Sequence, residues 1–204
     1  MADKKKLEAA LEKKALYGED IDLSKYDDND EARTKSTEDL TAGGKSKLAK
    51  VGIELDGEGR SATFIQVDNT PVQVEVDKET PLELMNTGDA AKKHPELVEK
   101  YWWKAVAPDT DKYTAKTATE REQGYFIRVR AGHKISAPLQ ACIFIGHEDQ
   151  LQRVHNVVII EEGAELNIIS GCASDPSVEN GVHIGISEFF VEKGAKLSFT
   201  MIHN

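Results

Sequence analysis

Apolar positions near the C-terminal end of the chain follow one phrase used twice. VVIIEEGAELNII (157–169) and EFFVEKGAKLSFTMI (188–202) each run from an apolar stretch, through charged residues and Gly-Ala, into a second apolar stretch. Gly163 and Gly194 mark equivalent points 31 positions apart. Glycine reverses a chain without steric cost, so each copy predicts strand, tight turn, strand. Recurrence at a fixed period is the mark of stacked units that bury their apolar faces against one another. The pattern therefore predicts a β-solenoid of the parallel β-helix type. Ala131-Gly132, between predicted strands at 125–130 and 139–145, echoes the later turns and sets the start of the solenoid there.

Upstream the pattern is more mixed. Leu7, Ala10, Leu11 and Ala15 fall near one face of a helix over 2–17, a narrow stripe that needs a partner. Residues 18–39 are acidic and polar, which predicts loop or partial disorder. Gly43-Gly44 and the lysines around them extend a flexible link, so the flexible acidic segment covers about 18–50. GGKS within it lacks the GxxxxGK[ST] frame and a preceding strand, and reads as linker rather than phosphate loop.

SATFIQVDN predicts a strand, and PVQVEVD alternates, with Val72, Val74 and Val76 on one face. Asn69-Thr70-Pro71 between them makes a hairpin. Pro95 opens a helix with Leu97, Val98, Tyr101, Trp102 and Ala105 on its apolar face, and Pro108 ends it. Trp102 and Trp103 would point about 100° apart on that helix, so they read as packing residues. Residues 110–123 predict a loop or short helix, and 173–181 a protruding loop. The predicted class is mainly β, with a helical and mixed α/β region over 1–120 and the solenoid over 121–204.

Composition narrows the function. A net charge of −10 over 204 residues argues against a nucleic-acid partner, which calls for a basic surface. No apolar run approaches the roughly 18 residues that span a bilayer, and MADKKKLEAALEKK lacks the apolar core of a secretory signal. Cys142 and Cys172, the two cysteines, supply neither a disulfide framework nor a CxxC knuckle. These features predict a soluble cytoplasmic protein with reduced thiols.

Candidate chemistry is sparse. The six histidines (His94, His133, His147, His155, His183 and His203) form no HExxH, and each alone reads as a surface or hydrogen-bonded residue. There is no GxSxG elbow. His155, Glu162 and Gly163 weakly suggest a cupin-like mononuclear metalloenzyme, but the HxH pair of that motif is missing. Cys142 lies in the apolar run LQACIFIG and reads as a small buried hydrophobe. Cys172 follows a strand at the mouth of a polar loop among small neighbours. Inert and reactive readings both stand for it, since reactivity needs access and a lowered thiol pKa.

The run GYFIRVRAGHKISAPLQACIFIG…QRVHNVVIIEEGAELNIISGCAS…HIGISEFFVEKGAKLSFTMIHN resembles the SufB/SufD family of iron–sulfur cluster assembly scaffolds. A PLQA strand, an E-G turn, a strand entering G-C and a closing strand before Asn occur in the family's order over 124–204, and HPELVEKY (94–101) is similar to its N-terminal region. The resemblance implies a right-handed parallel β-helix after the mixed N-terminal region. It also implies a non-catalytic scaffold that works with a SufC-type ABC ATPase, another SufB/SufD-type chain and a sulfur-donating desulfurase system. Cys172 stands where SufB-like members accept sulfur, and His155 and His203 stand where they carry polar relay residues. The family more often shows Arg and Gln at those two positions.

Family members continue for about as many residues again, and their cluster ligands lie there. Two distant cysteines are too few to ligate a cluster, so the expectation is no metal held by this chain alone and only a transient iron–sulfur cluster in the full assembly. Besides the metalloenzyme, a β-solenoid interaction module without chemistry is the remaining alternative.

Overall fold

A computed structural model of the protein describes residues 4–29, 32–119 and 123–204. Its strands fall into two mixed sheets. The first has the order β2 (Thr70–Val76), β1 (Ala62–Val67), β5 (Leu139–Ile145), β7 (Glu165–Ser174), β9 (Lys196–His203). The second has the order β3 (Leu82–Asn86), β4 (Tyr125–Val129), β6 (Gln150–Ile160), β8 (Gly181–Val191). Pairs β1–β2 and β3–β4 are antiparallel, and all other pairs are parallel. From β4 onward, successive strands alternate between the sheets. The class is mixed α/β, and strands of the N-terminal region belong to the same two sheets as the later ones.

The 31-residue interval is a strand register. Gln150 pairs with Gly181 and Glu165 with Lys196, while Gly132, Gly163 and Gly194 turn the chain with φ of 76°, 68° and 69°. Phe64, Ile127, Ala141, Val158, Leu166 and Ile168, drawn from both sheets, form one buried cluster between them. Strands β5 and β6 are buried along their whole length, because their outer faces are covered as well. Such strands read as continuous apolar runs rather than alternating ones.

Over the first sheet, Ile65, Cys142 and Phe144 lie beneath Leu48 of α2 (Ala42–Lys50), Val51 and Ile53. Over the second, Phe126, Val157 and Ile159 lie beneath α3 (Thr87–Lys93), α4 (Pro95–Tyr101) and Trp102. Farther along, Leu151, Val182 and Ile184 meet Ile21, Leu23, Tyr26 and Tyr113 of α5 (Lys112–Thr119). Helix α1 (Lys4–Leu11) finds its partner in α5, with Leu7 and Ala10 against Ala115.

Three local features differ from the sequence pattern. Where it is described, the segment at 18–50 packs onto the sheets. Its few apolar residues dock on β6 and β8, and Asp28 takes ion pairs from the otherwise buried Arg153 (2.9 Å) and from Lys116 (2.5 Å). The Gly43-Gly44 link is the first turn of α2, capped by the Thr41 hydroxyl, which accepts from the Gly44 N–H at 2.9 Å. Glycine is favoured there by close approach, since a Cβ on Gly44 would sit 3.0 Å from Asp175 Oδ2 and 3.3 Å from Phe144 Cζ. Finally, α4 stops at Tyr101 rather than at Pro108. Trp103 adopts a left-handed φ of 55°, and both indoles turn inward. Parts of the predicted elements at 2–3, 30–31 and 120–122 lie outside the described residues.

Gly44→Val should push α2 off the sheet and lower stability by about 1–3 kcal/mol, the usual cost of overpacking. A shift in the urea midpoint at unchanged slope would report it.

Candidate functional site

Strand alternation divides the side chains of each sheet between the inter-sheet space and the outer face. Leu166, Ile168, Ser170 and Cys172 of β7 point inward, as do Val154 and Val158 of β6 with Gln152 and Asn156 between and beside them. The strands of the two sheets run so that the apolar ends of β6 and β7 meet and their polar ends meet. The inter-sheet space therefore has an apolar half and a polar half. Tyr125, Gln152, Asn156, Ser170, Cys172, His183, Ser187 and His203 belong to the polar half. There Asn156 Nδ2 donates to Ser187 Oγ at 3.1 Å. The Tyr125 hydroxyl, whose pKa burial raises to about 12, meets Ser170 and Ser187.

Cys172 is half-buried and faces this polar half. On one side its register partner is Ile143 of β5, and on the other it is His203 of β9. Burial pushes its thiol above the ordinary cysteine value. Cys142 sits one strand over on the opposite face of the same sheet, packed with Ile65 and Phe144. Its burial and the neighbouring Cys172 raise its thiol further. The small-hydrophobe reading of Cys142 matches this packing.

His155 lies elsewhere. It is on the outer face of the second sheet, fully buried, with Nε2 2.8 Å from Glu188 Oε2 (both 0% exposed). Trp103 stacks on the imidazole at 4.1 Å between centroids, and Trp102 meets it edge-on. Glu188 also accepts the backbone N–H groups of Trp103 (2.7 Å), Ala105 (2.6 Å) and Val106 (3.0 Å). Burial alone would raise the Glu188 pKa, but His155 and these N–H donors outweigh it and hold the carboxyl below its usual range.

The structure thus brings together Cys172 and His203 but separates His155 from both. Glu162 is exposed in its turn, so it does not converge with buried His155 in a cupin-like set. No three described His, Cys, Asp or Glu side chains converge closely enough to ligate one metal ion. No helix among the described residues is long and apolar enough to cross a membrane. Sequence reasoning missed His183, which pairs with Gln152 across β6–β8 and faces the polar half. Its position 31 residues after Gln152 was the available signal.

The family model described as "SUF system FeS cluster assembly, SufBD core domain" matches residues 143–204, the part that contains Cys172, His183 and His203. An iron–sulfur cluster assembly SufBD family protein of Methanothermobacter thermautotrophicus is 44% identical over 207 residues, covering 98% of this chain and 50% of the relative. One of Archaeoglobus fulgidus is 48% identical over 160 residues, covering 78% of this chain and 42% of the relative. The iron–sulfur cluster assembly protein SufB of Bacillus subtilis is 29% identical over 119 residues, 58% of this chain and 26% of its own length. These likenesses lead to a family whose named members are iron–sulfur cluster assembly proteins. The chain belongs to the SufB/SufD family, and it spans about half the length of the curated relatives it matches.

Glu188→Gln should cost about 3–5 kcal/mol, because it breaks a fully buried pair and turns one of the two oxygens that accept from the 103–106 N–H groups into an NH2 donor. The Glu188 pKa is depressed in the folded state, so its contribution is present above the unfolded carboxylate pKa and is lost as pH falls through the folded value. Urea unfolding as a function of pH should therefore show less acid-linked loss of stability in Glu188→Gln than in the parent.

Proposed function

We propose that the chain is a non-catalytic scaffold component of a SUF-type iron–sulfur cluster assembly system, with Cys172 as its sulfur acceptor. Family membership supports the assembly role, and the observation that carries the acceptor role is the place of Cys172. It is the one cysteine that faces the polar half of the inter-sheet space. In this reading the alternating strands β4 to β9 are the first turns of a right-handed parallel β-helix. The scaffold acts in the cytoplasm with a SufC-type ABC ATPase, a second SufB/SufD-type chain and a desulfurase that delivers persulfide sulfur. The iron–sulfur cluster is cargo, passed on rather than kept, and its ligands are completed by partner segments.

Burial that keeps the Cys172 thiol protonated suits this role. Such a thiol resists stray oxidants and reacts when a docked donor presents sulfur at short range. His203, beside Cys172, is the relay candidate this geometry favours. His155, clamped by Glu188 on the outer face, serves instead to hold the 103–106 segment against β8.

Cys172→Ser should abolish sulfur loading from a desulfurase and reduce cluster formation with the partner ATPase at least about tenfold, as loss of a reacting nucleophile does. Cys142→Ser should leave both intact. Sulfur analysis of the loaded chain and cluster absorbance would decide it, and unchanged loading in Cys172→Ser would rule out the acceptor role.

A further inference from the structure

Besides His203, a second histidine faces the end of the inter-sheet space where Cys172 lies. His183 points into the inter-sheet space from β8, on the same face as Gln152 of β6. Gln152 is fully buried, and its amide orientation is fixed from the far side. Its Nε2 donates to the carbonyl of Asp68 at 2.7 Å and to that of Phe144 at 3.0 Å. Its Oε1 must then accept, and the group 3.0 Å away is His183 Nδ1. The proton therefore sits on Nδ1, which leaves Nε2 with a lone pair. A ring nitrogen fixed as an acceptor through a hydrogen bond on the other nitrogen is a pre-oriented one.

Gly185 gives that nitrogen its space. A Cβ there would lie 2.6 Å from His183 Nε2. Among the described residues no donor lies within hydrogen-bond distance of it. The residue is exposed on the edge strand β8; the groups around its ring and nearby His203 lower its pKa, and the tautomer set by Gln152 leaves the lone pair on Nε2.

The strand register sets His183 at the end of β8 that faces the Cys172 end of β7. Gln152 crosses from the second sheet to the carbonyl of Phe144 in the first. One strand further along each sheet, Gln152 is succeeded by His183 and Phe144 by Ala173, the residue next to Cys172. His203, the register partner of Cys172, is close enough for its charge to act on His183. Sheets packed face to face stand about 10 Å apart, so side chains from the two interdigitate.

We infer that His183 is the positioning residue for sulfur carried on Cys172, its Nε2 accepting the hydrogen bond of the terminal S–H of a Cys172 persulfide. This inference rests on the sulfur-acceptor reading of Cys172. In the loading step the Cys172 thiolate attacks the outer sulfur of a persulfide donor, R–S–SH. The new S–S bond forms as the donor's S–S bond breaks, and the donor leaves as a thiolate that takes up the proton Cys172 released. Sulfane sulfur changes carrier without net oxidation. The added sulfur extends the side chain by about 2 Å, one S–S bond length, into the space that His183 faces. Hydrogen-bonded there, the terminal sulfur is held in one orientation and leaves more slowly.

The test uses the full chain loaded with glutathione persulfide, freed of excess donor, and followed by cyanolysis of the remaining sulfane sulfur over time. His183→Ala should shorten its lifetime about 3- to 10-fold, the scale of one hydrogen bond. His183→Gln, which keeps an acceptor, should restore most of it. Gln152→Leu, which frees the tautomer without touching His183, should give an intermediate lifetime. Native protection of Cys142 from alkylation checks that each variant is folded, and Gln152→Leu serves if His183→Ala is not. If the parent loads at Cys172 while His183→Ala and Gln152→Leu release sulfur at the parental rate, the inference is overturned and the acceptor reading survives. Equal loss in His183→Ala and His183→Gln would also overturn it, since packing alone would then explain the effect. Loading that persists in Cys172→Ser, or no loading of the parent, would overturn the acceptor reading and this inference with it.

Discussion

Parallel pairing at a 31-residue interval is the constraint from which the other features follow. A parallel strand gains its hydrogen bonds only from a neighbour in the same direction, so the chain must leave one sheet, cross and return before it can pair again. The β4–β6, β6–β8 and β7–β9 pairs return after 31 residues and β5–β7 after 29; the two intervals differ by an even number, so inward and outward faces are kept. The left-handed glycines at the turns keep that length short. Side chains outside the sheets obey the same count. Lys134, Glu165 and Lys196 stack with contacts of 2.8 Å and 3.3 Å, and Glu148 receives the N–H groups of Glu179 and Asn180. These exposed pairs contribute little energy individually; their placement follows from the register.

Periodic features were legible in the sequence, and those set by packing between distant segments were not. The strand at 139–145, the strand–turn–strand over 157–169, the glycine turns and the hairpin near Pro71 rest on local pattern, which the structure reproduces. The helix at Ala42 and the docking of residues 18–29 do not. Composition marks those segments as polar. What orders them is a small number of apolar side chains and Asp28, meeting partners far along the chain. Trp102 and Trp103 show the same limit. Their angular separation follows from a helix that in fact ends one residue before them, and contact with His155 then brings both rings to one side chain.

The site was legible in the same uneven way. Cys172 and His203 fall in strands whose alternation can be counted, and both lie on the inward face. His155 is also in a counted strand, but the outer face there is covered, so a buried polar residue on it is no sign of the interior. Two cysteines on adjacent strands thus receive different surroundings from a single step of parity. Cys142 meets Ile65 and Phe144, while Cys172 meets His203 and the polar half of the space between the sheets.

The grip on Glu188 has a consequence for assembly order. Its carboxylate reaches the N–H groups at 103–106 only because β8 is seated with that residue outward. A slip of one residue would turn Glu188 toward Phe199 and Val158 and present Phe189 to the waiting donors. The early segment therefore acts as a gauge against which a later strand is measured. It accepts the strand in one register, and β9, which follows β8 through the Gly194 turn, inherits that setting.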